Sequence, residues 1–99
     1  MSRPPATSAA LLEDAKVKVT RFDFVPGAET GWHRHGMDYV IVPMTPCHFL
    51  LEEPGGQRTA DMQAGDVYRR DAGVEHNVVN AGSEPMSFIE IELKPRAPA

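Results

Sequence analysis

Gly27-Ala28-Glu29-Thr30-Gly31-Trp32-His33-Arg34-His35 sets two histidines either side of a single residue, and Gly65-Asp66-Val67-Tyr68-Arg69-Arg70-Asp71-Ala72-Gly73-Val74-Glu75-His76-Asn77-Val78-Val79-Asn80 brings a third. Side chains alternate between faces along an extended strand, so His33 and His35 share a face and can share one cation. His76 is distant in sequence, which is no obstacle where strands face one another across an all-β interior. Three neutral imidazoles form an open site for one divalent transition metal, Fe, Mn, Ni, Cu or Zn. Positions remain free for water, substrate or dioxygen. The fourth histidine, His48, sits in a separate apolar run without a spaced partner.

Outward from these stretches, short apolar runs recur: Lys16 to Phe24, Met37 to Val42, His48 to Glu52, Gln57 to Met62, Val67 to Arg69, His76 to Asn80 and Ser87 to Leu93. Pro26-Gly27, Pro54-Gly55-Gly56, Ala64-Gly65-Asp66, Asp71-Ala72-Gly73 and Ala81-Gly82-Ser83 punctuate them with residues suited to chain reversal. Strand-sized runs at this spacing predict an all-β domain. In the last run Ile89, Ile91 and Leu93 fall on one face and Glu90 and Glu92 on the other, which predicts a core face and a wet face. Ser8 to Ala15 predicts a brief helix capped by Ser8, or a disordered arm. The expected organisation is an N-terminal arm over 1–15, a β-domain over 16–94 and a tail over 95–99.

The chain has 99 residues with 10 Lys and Arg against 14 Asp and Glu, a net charge of −4, and its basic residues are scattered. It presents no electrostatic footprint for a phosphate backbone, so nucleic acid is not an expected partner. A single cysteine, Cys47, excludes an intrachain disulfide, and no run approaches the roughly 18 apolar residues of a membrane span. Met1 to Ser8 lacks an apolar signal core. The expectation is a cytoplasmic protein with no membrane partner. A core this small gains from a second copy, and the Lys16 to Phe24 run would otherwise form an open edge, which predicts a homodimer.

Gly27, His33, His35, Gly65, Gly73, His76 and Asn80 stand at ordered spacings that resemble the two motifs of the cupin superfamily. The first runs Gly-x5-His-x-His and then Glu; the second runs Gly-x5-Pro-x-Gly-x2-His-x3-Asn. The resemblance spans Gly27 to Asn80. It implies a double-stranded β-helix, or jelly-roll barrel, with a metal held inside by His33, His35 and His76, and dimers are common in the superfamily. Two positions depart from the motifs. The motif proline is Asp71, another turn residue, and the motif glutamate is absent, its place falling at Tyr39 or Val40. By parity Tyr39 shares the face of His33 and His35, whereas Asp38 points away and would rejoin only through a bulge.

Cupins with three histidines and no glutamate include ferrous oxygenases of thiols and β-diketones. The resemblance therefore implies an Fe(II) dioxygenase acting on a small carboxylate, diketone or thiol. The alternatives are a non-catalytic metal- or ligand-binding module and a Zn, Mn or Ni Lewis-acid isomerase or hydrolase. The strings around His33 and His76 also look like small cupins associated with β-alanine degradation, a pointer to a small carboxylate. Tyr39 is the candidate to hydrogen-bond a group on the metal's open side, against a plain buried aromatic. Arg69 is the candidate to clamp a substrate carboxylate, although parity does not choose between it and Arg70. Glu75 is expected outside, Cys47 as a small buried hydrophobe, and Phe22, Phe24, Phe49 and Phe88 in the core or an interface.

Overall fold

The computed structural model describes residues 2–95. Apart from Pro95, the tail expected over 95–99 lies outside the described residues. Nine strands are present among them: β1 (Thr7–Glu13), β2 (Val17–Phe24), β3 (His33–Arg34), β4 (Asp38–Pro43), β5 (Cys47–Glu53), β6 (Gly56–Met62), β7 (Tyr68–Arg70), β8 (Glu75–Asn80) and β9 (Met86–Leu93). They form two antiparallel sheets, ordered β1-β2-β9-β4-β7 and β3-β8-β5-β6, giving the all-β barrel of jelly-roll type. Every apolar run of the barrel became a strand, and in β4 and β5 burial alternates residue by residue, offering one face to the opposing sheet.

The sheets close on aromatic side chains. Phe88 of β9 lies 5.4 Å from Phe22, 5.5 Å from Phe24 and 5.8 Å from Phe49 between ring centroids, tying β2 and β9 to β5 across the interior. Ile41, Leu51, Val78 and Met86 complete this end of the core, and Cys47 is buried among them as a small hydrophobe.

Two expectations are corrected. Thr7–Glu13 is neither helix nor disordered arm but a strand paired with β2, from Thr7↔Asp23 to Glu13↔Lys18, with an irregularity between Ala10 and Leu12. A one- or two-turn helix bears the full nucleation cost, whereas the free edge of β2 offers a ready ladder. Further upstream, Glu29 clasps the chain on both sides: the Ala6 amide donates to its carbonyl at 2.8 Å, and its own amide donates to the Pro4 carbonyl at 3.0 Å. The Lys16 to Phe24 run is consequently an interior strand, and β1, exposed throughout, is the edge.

The second correction concerns β9. Met86, Phe88 and Glu90 are buried, whereas Ile89 and Ile91 are only half-buried. The glutamates, not the isoleucines, face the barrel interior. Register explains it: Phe88 must enter the core beside Phe22, and Glu90 and Glu92 follow on the same face by parity.

Candidate metal centre

β3 and β8 pair so that His33 stands directly opposite His76, on one face and within cross-strand reach. Two more backbone bonds extend this pairing, from the His35 amide to the Val74 carbonyl and from the Gly73 amide to the His35 carbonyl, both 2.8 Å. All three imidazoles are thereby held by one ladder. Their Nε2 atoms converge, His33 to His35 at 3.1 Å and His35 to His76 at 3.0 Å. The ring planes are close to mutually perpendicular, at 78°, 73° and 84°.

These separations test whether a cation fits. Metal–nitrogen bonds of about 2.1 Å meeting at right angles put the nitrogens about 3.0 Å apart, and tetrahedral angles put them about 3.4 Å apart. The His33–His35 and His35–His76 separations match ligands at right angles on one cation, and the three donor nitrogens all lie within 4.8 Å of one another. The tautomer of His33 is also prepared: its Nδ1–H donates to the Gly31 carbonyl at 2.8 Å, leaving Nε2 as a lone pair aimed inward. Gly31 makes this contact from the left-handed region, φ 86°, which side-chain-bearing residues rarely adopt. Burial above all, reinforced by the charges of His33 and Arg70, pushes His35 down to about 4; burial with His33 and His35 pushes His76 down to about 3. Both rings are neutral at pH 7, as metal ligation requires.

Asn77 sets the approach of β3. Its Oδ1 accepts from the Gly31 amide at 2.9 Å, and its Nδ2 donates at 2.8 Å to each of Glu29 Oε1 and Glu52 Oε1. Arg3 Nη1 closes the cluster at 3.2 Å from Glu29 and 2.7 Å from Glu52. The pattern of the strand hides this role, because Asn77 faces away from His76 and its partners come from two separate segments, Glu29 to Gly31 and Glu52.

Of the other candidates, Tyr39 lies at the site. It is 1% exposed, stacks on His35 with centroids 3.8 Å apart and planes 19° apart, and its hydroxyl has no hydrogen-bond partner. Burial raises its pKa, so the phenol remains a proton donor. Arg69 does not join the site: it turns outward to Asp71 at 2.9 Å and Asp38 at 3.7 Å. The pairing Tyr39↔Arg70 gives the inward-facing parity to Arg70, which lies 3.5 Å from Glu53. Glu75 is exposed as expected, and His48 pairs with Asp61 at 2.8 Å on the surface. A cavity of about 280 Å³ opens over the histidines, lined also by Tyr39, Tyr68, Glu90 and Glu92. Glu90, missed by the wet-face reading of its strand, is driven up to about 7 by burial and by Glu92.

The cupin domain pattern matches residues 20–92, most of the barrel. The chain belongs to the cupin family. This cupin is 52% identical over 92 residues to the beta-alanine degradation protein BauB of Pseudomonas aeruginosa, covering 93% of this chain and 97% of the relative. A cupin domain from Bordetella pertussis superposes with a TM-score of 0.93 at 49% identity, covering 96% of this chain and 99% of that one. The polyketide cyclase RemF of Streptomyces resistomycificus shares the fold, with a TM-score of 0.73 at 21% identity over 99% of this chain and 73% of its own.

Proposed function

We propose that this cupin is a metal-dependent enzyme of small-molecule metabolism, a non-haem Fe(II) dioxygenase acting on a small carboxylate, diketone or thiol in the cytoplasm. The observation that carries the reading is the convergence of the His33, His35 and His76 ring nitrogens, all within 4.8 Å of one another, beside an open cavity. Bound there, ferrous iron would supply the one-electron chemistry by which dioxygen reacts with a closed-shell organic molecule. The chain's residues do the rest. His33, His35 and His76 would hold the ion, the hydroxyl of Tyr39, which has no partner among the described residues, is free to donate to a molecule bound in the cavity, and Phe22, Phe88 and Ile41 line it with apolar surface. The BauB name directs the substrate search to β-alanine and the short carboxylates derived from it.

Elemental analysis of protein purified anaerobically, followed by oxygen uptake with short amino acids, β-diketones and thiols, tests the reading. Near-stoichiometric iron with substrate-dependent uptake is expected. Turnover with Zn, Mn or Ni in the absence of oxygen would replace it with Lewis-acid isomerisation or hydrolysis, and an empty site without turnover would replace it with a ligand-binding module.

The homodimer also belongs to this proposal, on a different surface. Val19, Ile91 and Val40 are registered neighbours on the outer face of the larger sheet, with Ile89 and Val42 beside them, all half-buried. A concentration-independent monomer mass in sedimentation would remove it.

A further inference from the structure

Cys47, Phe49 and Leu51 of β5 are buried, and their registered partners on β6 are Met62, Ala60 and Arg58. Cross-strand partners share a face, so a guanidinium continues an apolar stripe that looks into the barrel. The same happens on β7, where Tyr68 and Arg70 stand opposite the buried Ile41 and Tyr39 of β4. β6 and β7 are the last strands of their respective sheets, and no ladder joins them among the described residues. At this seam lies a cavity of about 460 Å³, larger than the one over the histidines and of a size that suits a small molecule. Phe49, Leu51, Ala60 and Met62 give it an apolar wall, and Arg58 and Arg70 line it beside them.

Charge at the seam is unbalanced. Arg58 Nε donates to Glu53 Oε1 at 3.2 Å, and Arg70 Nη1 lies 3.5 Å from that same oxygen. One carboxylate therefore serves two guanidiniums, leaving a local excess of positive charge in a chain whose net charge is −4. The Arg70 side chain is 27% exposed, so much of its charge is held away from water, where an added anion with two oxygens would be most favourable. Arg69 at the rim differs, being already met by Asp71 and Asp38. Phe49 and Tyr68 line both cavities, which places a molecule held by Arg58 and Arg70 next to the histidine cluster.

We propose that the cavity at the seam binds the carboxylate end of a small molecule, with Arg70 and Arg58 holding the anion and the apolar wall taking a short carbon chain. A bound carboxylate brings the cluster to two guanidiniums and two carboxylates, which balances it. This deepens the proposed function, on which it rests, by choosing the carboxylate among its three substrate classes.

Sodium butyrate is the probe and butyramide its uncharged counterpart. Each is titrated into the full, isotope-labelled chain kept in chelator, so that the carboxylate meets no metal, and the arginine Nε–H signals are followed by nuclear magnetic resonance. Butyrate is expected to move the Arg58 and Arg70 signals saturably, and butyramide to leave them in place. Arg70→Gln and Arg58→Gln should each weaken butyrate binding about tenfold, and Arg70→Lys, which keeps the charge and loses the planar fork, by less. Arg58 is 51% exposed, so folding does not hinge on it. Lys16→Gln, equal in charge change and lining neither cavity, should bind as wild type does. Equal shifts with butyramide, wild-type butyrate affinity in both glutamine variants, or an equal loss in Lys16→Gln would each overturn the proposal. Oxygen uptake with acetylacetone by iron-loaded protein, beside absent butyrate binding, refutes only the carboxylate site. Arginine-dependent butyrate binding in iron-loaded protein that consumes no oxygen with any tested substrate refutes only the dioxygenase reading.

Discussion

Asn77→Ala removes a side chain that touches neither the cavity nor a proposed ligand, and the structure gives its consequences in two independent readouts. The amide is 2% exposed and makes hydrogen bonds of 2.8–2.9 Å to the Gly31 amide and to the carboxylates of Glu29 and Glu52. Two of these are charge-assisted, and the truncation leaves the Gly31 N–H without its acceptor. Arg3 continues to pair with both carboxylates, which limits the loss to about 3 kcal/mol. For a domain of this size that lowers the Tm by roughly 12–24 °C. The second readout is the metal. Gly31 is the residue whose carbonyl orients His33 Nδ1, so loosening its amide loosens the imidazole, and affinity for Mn(II) should fall about tenfold. Asn77→Asp keeps the acceptor for Gly31 but sets a third carboxylate against Glu29 and Glu52. It should therefore be no more stable than the alanine variant at pH 7 and recover in part near pH 4. Differential scanning calorimetry and chelator competition measure both. A Tm within about 3 °C of wild type would refute the cost assigned to the network, and a large loss of Tm with unchanged Mn(II) affinity would break the link from Asn77 to His33.

In metal-free protein, Glu90 is held at about 7 against an ordinary 4.5, so the folded state binds the extra proton. Its contribution is fully present below pH 4.5 and lost as pH rises through 7, so Glu90→Gln should be more stable than wild type by about 3 kcal/mol at pH 8 and equal to it at pH 4. Equal stability at both values counts against burial of the charge. His35 and His76 act in the opposite sense: their folded values of about 4 and 3 lie below the ordinary 6.5, so metal-free stability should decline as pH falls from 6.5 toward 4. A flat acid limb in thermal melts would contradict this. Arg69→Ala, which loses only surface pairs with Asp71 and Asp38, should leave substrate KM unchanged and stability within about 1 kcal/mol; a raised KM would return it to the site. Phe88→Ala should cost about 3–5 kcal/mol, because that ring joins Phe22, Phe24 and Phe49, and a small Tm change would show that the core lies elsewhere.

What the amino-acid sequence determined by itself is local and periodic. Alternation over Met37 to Val42, His48 to Glu52 and Gln57 to Met62 marks strands, glycines such as Gly65 and Gly73 mark their turns, and His-x-His sets two imidazoles on one face. These features depend on backbone sterics and on a period of two, which act within a few residues. What only the tertiary structure decided is which face is inside and which strand lies next to which. Alternation in β9 separates Ile from Glu, yet it does not say that the glutamates line a cavity; that follows from Phe88 entering the core and from β9 lying between β2 and β4. Arg70 rather than Arg69 takes the inward parity because Tyr39 stands opposite it. Thr7–Glu13 is a strand because β2 offers an edge, a partner no local propensity can supply. Convergence of His76 on His33 needs β3 and β8 in register, a contact whose loop-closure entropy only the assembled barrel offsets.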